Sequence, residues 1–134
     1  MKFEDKYFVR FNFTKEQVDN NITNASKDLH IAKVDTILEV RFNYCYSAFL
    51  KAGIALLSHF KLKVKSVLGH HVKIIEMMSK ILKDESIAVM GNIMRSKRNL
   101  DFYSGGLIIT EKECSEYLKF VEDTLAKIKR IILS

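Results

Sequence analysis

No proline interrupts this chain, and glycine occurs only five times in 134 residues. Proline clashes with the preceding turn of a helix and removes a backbone donor, and glycine-rich stretches make flexible linkers. Their scarcity lets helices run unbroken and leaves no linker. The length suits one domain with a proper core and is too short for two ordinary ones. An apolar fraction of 48% supplies that core in the usual proportion for a globular domain. The longest uncharged apolar run, Ala52 to Leu57, is far too short to span a bilayer. Residues Met1 to Phe8 mix acids with bases and have no apolar stretch of a secretory signal. The expected location is therefore cytoplasmic, with no membrane association.

Hydrophobic spacing divides the chain into an arm and five helices. Tyr7, Val9, Phe11 and Phe13 alternate with Phe8, Arg10 and Asn12, a period of two that fits an extended segment or a short strand. A lone strand is unstable, so residues 1–13 are read as an extended arm laid over one helical domain, residues 14–134. Thr14 can cap a first helix reaching about His30, with Val18, Ile22, Ala25 and Leu29 on one face. Asp35 is the expected cap of a long second helix to about His59, carrying Ile37, Leu38, Cys45, Ala48, Phe49, Ala52, Ala55 and Leu56. A second stripe of Tyr46, Leu50, Gly53 and Leu57 lies beside these. Apolar residues over so much of the circumference make this helix central, or give one face to another subunit. Lys61 to Lys65 connects to Ser66, the expected cap of a third helix ending near Lys83 with Val72, Ile75, Met78 and Leu82 inward. The fourth starts near Ser86 and uses Ile87, Met90 and Met94. Thr110 and Glu113 have the spacing of a capping box before a fifth helix with Cys114, Leu118, Val121, Leu125, Ile128 and Ile132 inward. Five helices with short connections predict an all-α, mostly antiparallel four- to five-helix bundle.

Several chemistries are excluded or disfavoured. There is no glycine-rich phosphate loop ending in Gly-Lys-Ser/Thr. Neither the two cysteines, Cys45 and Cys114, nor the carboxylates have a metal-binding spacing. Both cysteines fall on apolar stripes, as buried structural thiols do. No metal and no cofactor is expected. The excess of 22 Lys and Arg over 16 Asp and Glu, a formal charge of +6, favours phosphate-rich partners.

The end of the fourth helix concentrates polar groups. Met94-Arg95-Ser96-Lys97-Arg98-Asn99-Leu100-Asp101-Phe102-Tyr103 precedes Ser104-Gly105-Gly106. Arg98 extends the stripe of Ile87, Met90 and Met94, so it must leave the core or meet an anion or an acid. Arginine presents a rigid fork of donors to phosphate, and Arg95 and Lys97 raise the local potential. The alternative is an ion pair of Arg98 with Asp101 or another carboxylate that merely finishes the helix. Arg95 and Asn99 are i,i+4 neighbours on one face. Tyr103 is five positions past Arg98, about 140° round a regular helix, so the two converge only if the helix ends or distorts between them. Further candidates are Arg41, which interrupts the stripe of the second helix, Tyr44 beside it, and His70 and His71 in the first turn of the third. A neutral imidazole is a fit acid or base near pH 7; the plainer reading has one histidine capping or packing and the other in solvent. Lys61, Lys63 and Lys65 form a solvated loop or touch a nucleic-acid backbone.

From Thr14 onward the chain resembles the HEPN domains of bacteria and archaea. The resemblance rests on Tyr44-Cys45-Tyr46-Ser47-Ala48-Phe49-Leu50-Lys51-Ala52, on Gly69-His70-His71, and on Arg95-Ser96-Lys97-Arg98-Asn99 with Asp101 and Tyr103. It implies a four- or five-helix bundle that commonly forms homodimers. It also implies either a metal-independent endoribonuclease, often a toxin paired with a nucleotidyltransferase-like antitoxin, or a noncatalytic RNA- or nucleotide-binding module. Arg98 matches the arginine of the family motif and Asn99 the polar residue after it, but Tyr103 stands where the motif has histidine. A phenol with a pKa near 10 is a poor base at neutral pH, although it can donate a hydrogen bond.

The expected function is an RNA- or nucleotide-binding component of a prokaryotic toxin–antitoxin or nucleotidyltransferase-associated system, acting as a homodimer. Arg95, Lys97, Arg98, Asn99 and Arg41 are the expected phosphate-binding residues, with Asp101, His70 and Tyr44 as auxiliaries. One alternative is a metal-independent endoribonuclease toxin with Arg98 and Tyr103 as its catalytic pair, or His70 supplying the proton. The other is a noncatalytic homodimeric interaction module.

Overall fold

The computed structural model describes residues 1–103 and 109–133, with the side chains of 101–103 outside the described set. In chain order the elements are β1 (Phe8–Arg10), α1 (Lys15–Val34), α2 (Leu38–His59), β2 (Leu62–Val64), α3 (His70–Leu82), α4 (Glu85–Tyr103) and α5 (Glu111–Ile132). The described residues therefore form a helical bundle of five helices with one two-stranded sheet.

Helix α2 is central because it packs against every other helix and against β2. Twelve of its 22 residues are buried, so it has no wholly solvated face. Phe42, Ala48, Phe49, Leu56 and Leu57 are fully enclosed, and each large apolar side chain so buried contributes about 1.5–3 kcal/mol. Helix α5 lays Cys114, Tyr117, Val121, Leu125 and Ile128 on it. Phe42 meets Tyr117 edge-on at 5.6 Å, and Phe49 meets Phe120 at 5.5 Å. The inner face of α3 is Ile74, Ile75, Met77 and Met78, so Val72 and Leu82 of the expected stripe are only half-buried.

Two glycines let helices approach closely. A Cβ on Gly53 would stand 2.5 Å from Met78 Sδ and 2.8 Å from Ile74 Cγ2. A Cβ on Gly91 would meet the Phe49 ring at 2.8 Å and Ile75 Cγ2 at 2.9 Å. The second contact fixes where α4 crosses the α2–α3 pair, and hence where the end of α4 comes to lie.

Helix ends follow the expected chemistry at Thr14 and Thr110, each of which forms a capping box. Two expected caps are corrected. Asp35 accepts the N–H of Ile37 while its own N–H closes α1 on Ile31, so it joins two helices rather than starting the second. Gly69, not Ser66, starts α3, because the chain passes through a left-handed φ of 83° that glycine adopts without steric cost.

The reading of residues 7–13 as an unpaired tail is also corrected. Phe8 to Arg10 pairs antiparallel with Leu62 to Val64, Phe8 opposite Val64 and Arg10 opposite Leu62. The partner strand was hidden in the lysine-rich connector, where Leu62 and Val64 alternate with Lys61, Lys63 and Lys65. Phe8 and Leu62 turn into the core and Lys63 lies over the Phe11 ring at 5.0 Å. No helix among the described residues is long and apolar enough to cross a membrane.

Candidate nucleic-acid interface

The buried stripe of α4 runs out at the bundle surface. Ile87 and Met94 are enclosed, and Arg98, one turn beyond Met94, comes out half-buried into a cleft between α2 and the start of α3. This smaller depression, about 410 Å³, is walled by Tyr46, Ser47 and Leu50 of α2 and by His71 and Ile74 of α3. A larger one, about 660 Å³, lies between residues 66–69 and α4, where Arg95 and Asn99 line it together. His70 and His71 border both. The volumes fall in the range of small-ligand clefts.

The side chains here are positioned by short chains of hydrogen bonds. Asn92 donates to the Ala88 carbonyl at 2.8 Å, and its Oδ1 accepts from Arg95 Nε at 3.3 Å. His70 Nδ1 donates to the Val67 carbonyl at 2.9 Å, which fixes its tautomer. His71 Nδ1 lies 3.4 Å from the Tyr46 hydroxyl, and the two rings meet edge-on at 6.0 Å. The histidine rings themselves stand 4.4 Å apart and nearly perpendicular. Two residues of the smaller depression are tied to α1: Ser47 Oγ donates to Asp28 at 2.6 Å and Lys51 Nζ at 2.8 Å, both on one carboxylate oxygen.

Electrostatics set the protonation states. Burial lowers the His71 imidazole below its ordinary value, and His70, Arg98 and Arg95 add to the effect. Burial also pushes the Tyr46 phenol up to about 12, against the pull of Arg95 and Arg98. The pair is thus a neutral imidazole and an intact phenol at neutral pH, held beside two cations. Such a set can bind an anion, donate hydrogen bonds and move a proton at the imidazole.

The structure brings together Arg95, Arg98, Asn99 and His70 of the expected residues. It separates three others. Arg41 turns to the end of α1, donating Nε–H to the Ala32 carbonyl at 2.9 Å. Lys97 faces α5 and pairs with Glu113 at 2.9 Å. Tyr44 is exposed on α2 and lines neither depression. The side chains of Asp101 and Tyr103, and the Gly105-Gly106 pair, lie outside the described set.

Tyr46, Ser47 and Lys51 were missed because Tyr46 and Leu50 read as a second apolar stripe. The polar residues interleaved with that stripe, Asn43, Ser47 and Lys51 at four-residue steps, were the available signal. His71 was visible only as half of a histidine pair. Lys61, Lys63 and Lys65 are exposed on the strand side of the bundle, and Lys65 Nζ donates to the Asp5 carbonyl.

Cys45 and Cys114 are buried free thiols, and burial raises the pKa of each, most strongly at Cys45. Among the described residues, no three His, Cys, Asp or Glu side chains gather as a metal site. Neither family models, nor curated proteins, nor solved structures give a match to this chain.

Proposed function

We propose that the protein is a HEPN-like bundle that binds RNA or a nucleotide through phosphate in the cleft between α2, α3 and α4. The observation that carries this reading is that Arg95 and Arg98 line two depressions that share His70 and His71, with Tyr46 set against His71. Two arginines from one helix give a phosphate several donors, and the half-buried setting weakens competition from water. The first turn of α3, capped by glycine rather than by a side chain, adds its positive end at the same place. The overall charge of +6 acts in the same direction.

The setting supplied by the sequence resemblance is a toxin–antitoxin or nucleotidyltransferase-associated pair, with the protein as a homodimer. The outer face of α4 suits a self-contact, since Val89, Ile93 and Leu100 are exposed along it. Binding of a labelled single-stranded RNA by the wild type and by Arg98→Ala tests the proposal. Loss of affinity in the variant supports it, and equal affinity refutes it.

The position of His71 favours a second reading, metal-independent RNA cleavage. A neutral imidazole beside Arg98 would take the proton of a ribose 2′-hydroxyl as that oxygen attacks phosphorus. The bond from phosphorus to the 5′-oxygen would break, that oxygen would take the proton back from the imidazolium, directly or through a water, and a 2′,3′-cyclic phosphate would remain. His71→Asn would then abolish cleavage in EDTA while leaving RNA binding in place. Intact RNA after prolonged incubation with the wild type would exclude this reading.

A further inference from the structure

The two depressions differ in chemistry. Arg98 and Lys51 line the smaller, whereas the larger has an aliphatic wall of Val67, Leu68 and Val72 facing Asn99 across the groove. Leu68 is 97% exposed, so its apolar side chain is open to a ligand in the groove. Its position is fixed. The Val67 carbonyl takes both the backbone N–H and the Nδ1–H of His70, and Val67 N–H bonds the Lys65 carbonyl. The residue that follows, Gly69, has the left-handed φ of 83°. The turn therefore holds an aliphatic side chain outward in the depression that Arg95 lines, with the imidazole of His70 at the boundary between the two depressions.

We infer that the larger depression is a nucleobase subsite and that the base it takes is adenine. This deepens the phosphate-binding reading and rests on it. A base is flat and apolar on its faces and polar only at its edges, so it fits against Leu68 and Val72 and can stack on an imidazole. The Asn99 carboxamide presents a donor and an acceptor side by side, the complement of the N6 amino group and adjoining ring nitrogen of adenine. Asn99 follows Arg98 directly and lies one turn from Arg95, so phosphate and base contacts come from one helix end. A monophosphate then places its phosphate towards Arg98 and its base over Leu68.

Calorimetric titration at low salt with AMP, GMP, CMP and ribose 5-phosphate tests the inference. AMP should bind about tenfold more tightly than ribose 5-phosphate. Asn99→Leu should bring AMP to the level at which the same variant binds ribose 5-phosphate, and Leu68→Ser should weaken AMP. Arg98→Ala should weaken all four compounds. Equal binding of AMP and ribose 5-phosphate, with both abolished in Arg98→Ala, overturns the base subsite and leaves the phosphate reading standing. GMP or CMP binding as tightly as AMP overturns the adenine assignment. Failure of all four to bind overturns the inference and the reading together.

Discussion

The Tyr46 hydroxyl and the Nδ1 atom of His71 stand 3.4 Å apart at the junction of α2 and α3. With Nδ1 protonated, the imidazole donates to the phenol oxygen and keeps the Nε2 lone pair free, and both groups stay uncharged beside Arg95 and Arg98. The pairing ties the central helix to the first turn of α3, and so the core of the bundle to the wall of the cleft.

His71 gives the fold a pH dependence of definite sign. Its pKa in the folded chain is lower than the ordinary 6.5, so below that pH the unfolded chain takes up the proton first. The stabilisation from keeping His71 neutral is present above pH 6.5 and is lost as pH falls through the folded value. Among the described residues, Tyr46, His70, Arg95 and Arg98 face the ring, and none of these is a carboxylate that would reverse the shift. Thermal melts of wild type and His71→Asn should diverge in slope below that pH, with the wild type losing stability faster. Parallel slopes would contradict this assignment.

Arg41 should matter for folding and not for binding. Its Nε–H satisfies the Ala32 carbonyl near the end of α1, and a hydrogen bond from a charged donor is worth about 1.5–3 kcal/mol. Arg41→Met should lower the denaturant midpoint and leave RNA affinity per folded molecule unchanged. Chemical denaturation beside a binding titration distinguishes the two effects.

Gly91 sets the approach of α4 to the enclosed Phe49 ring. Alanine would gain about 1 kcal/mol of helix propensity. Its methyl would also force apart a well-packed contact, which costs about 1–3 kcal/mol. Gly91→Ala should therefore lower Tm despite the better propensity, and a rise in Tm would show that the helix pair can give way.

The bundle was legible in the sequence because its signals are local. Periodic apolar residues, Thr14, and the Thr110–Glu113 pair each fix a nearby backbone. The strand pair was not legible, because Phe8 finds Val64 only through tertiary folding. The site was half legible for the same reason. Arg95, Arg98 and Asn99 share one helix, and their spacing alone puts them near one another. The return of α2 and α3 to that helix brings Tyr46, Ser47 and His71, which no spacing relates to Arg98. Lys97 and Arg41 looked equally cationic in the sequence, yet they turn away from the cleft, to Glu113 and to the Ala32 carbonyl.

Lys97 supplies an internal control. Its ammonium is held by Glu113, and that ion pair raises its pKa and lowers that of the carboxyl. Lys97 faces α5 and lines neither depression, so Lys97→Ala should weaken RNA binding much less than Arg98→Ala does. Equal weakening, measured by fluorescence anisotropy, would mean that bulk charge rather than the cleft governs affinity.

The most direct test of the proposed phosphate-binding cleft is the salt dependence of single-stranded RNA affinity, wild type against Arg98→Ala. The affinity of the wild type should fall log-linearly with salt. The variant should bind about tenfold more weakly, with a slope shallower by about 0.7 because one phosphate is no longer neutralised. Affinity that ignores salt, or that survives Arg98→Ala unchanged in magnitude and slope, would contradict the account.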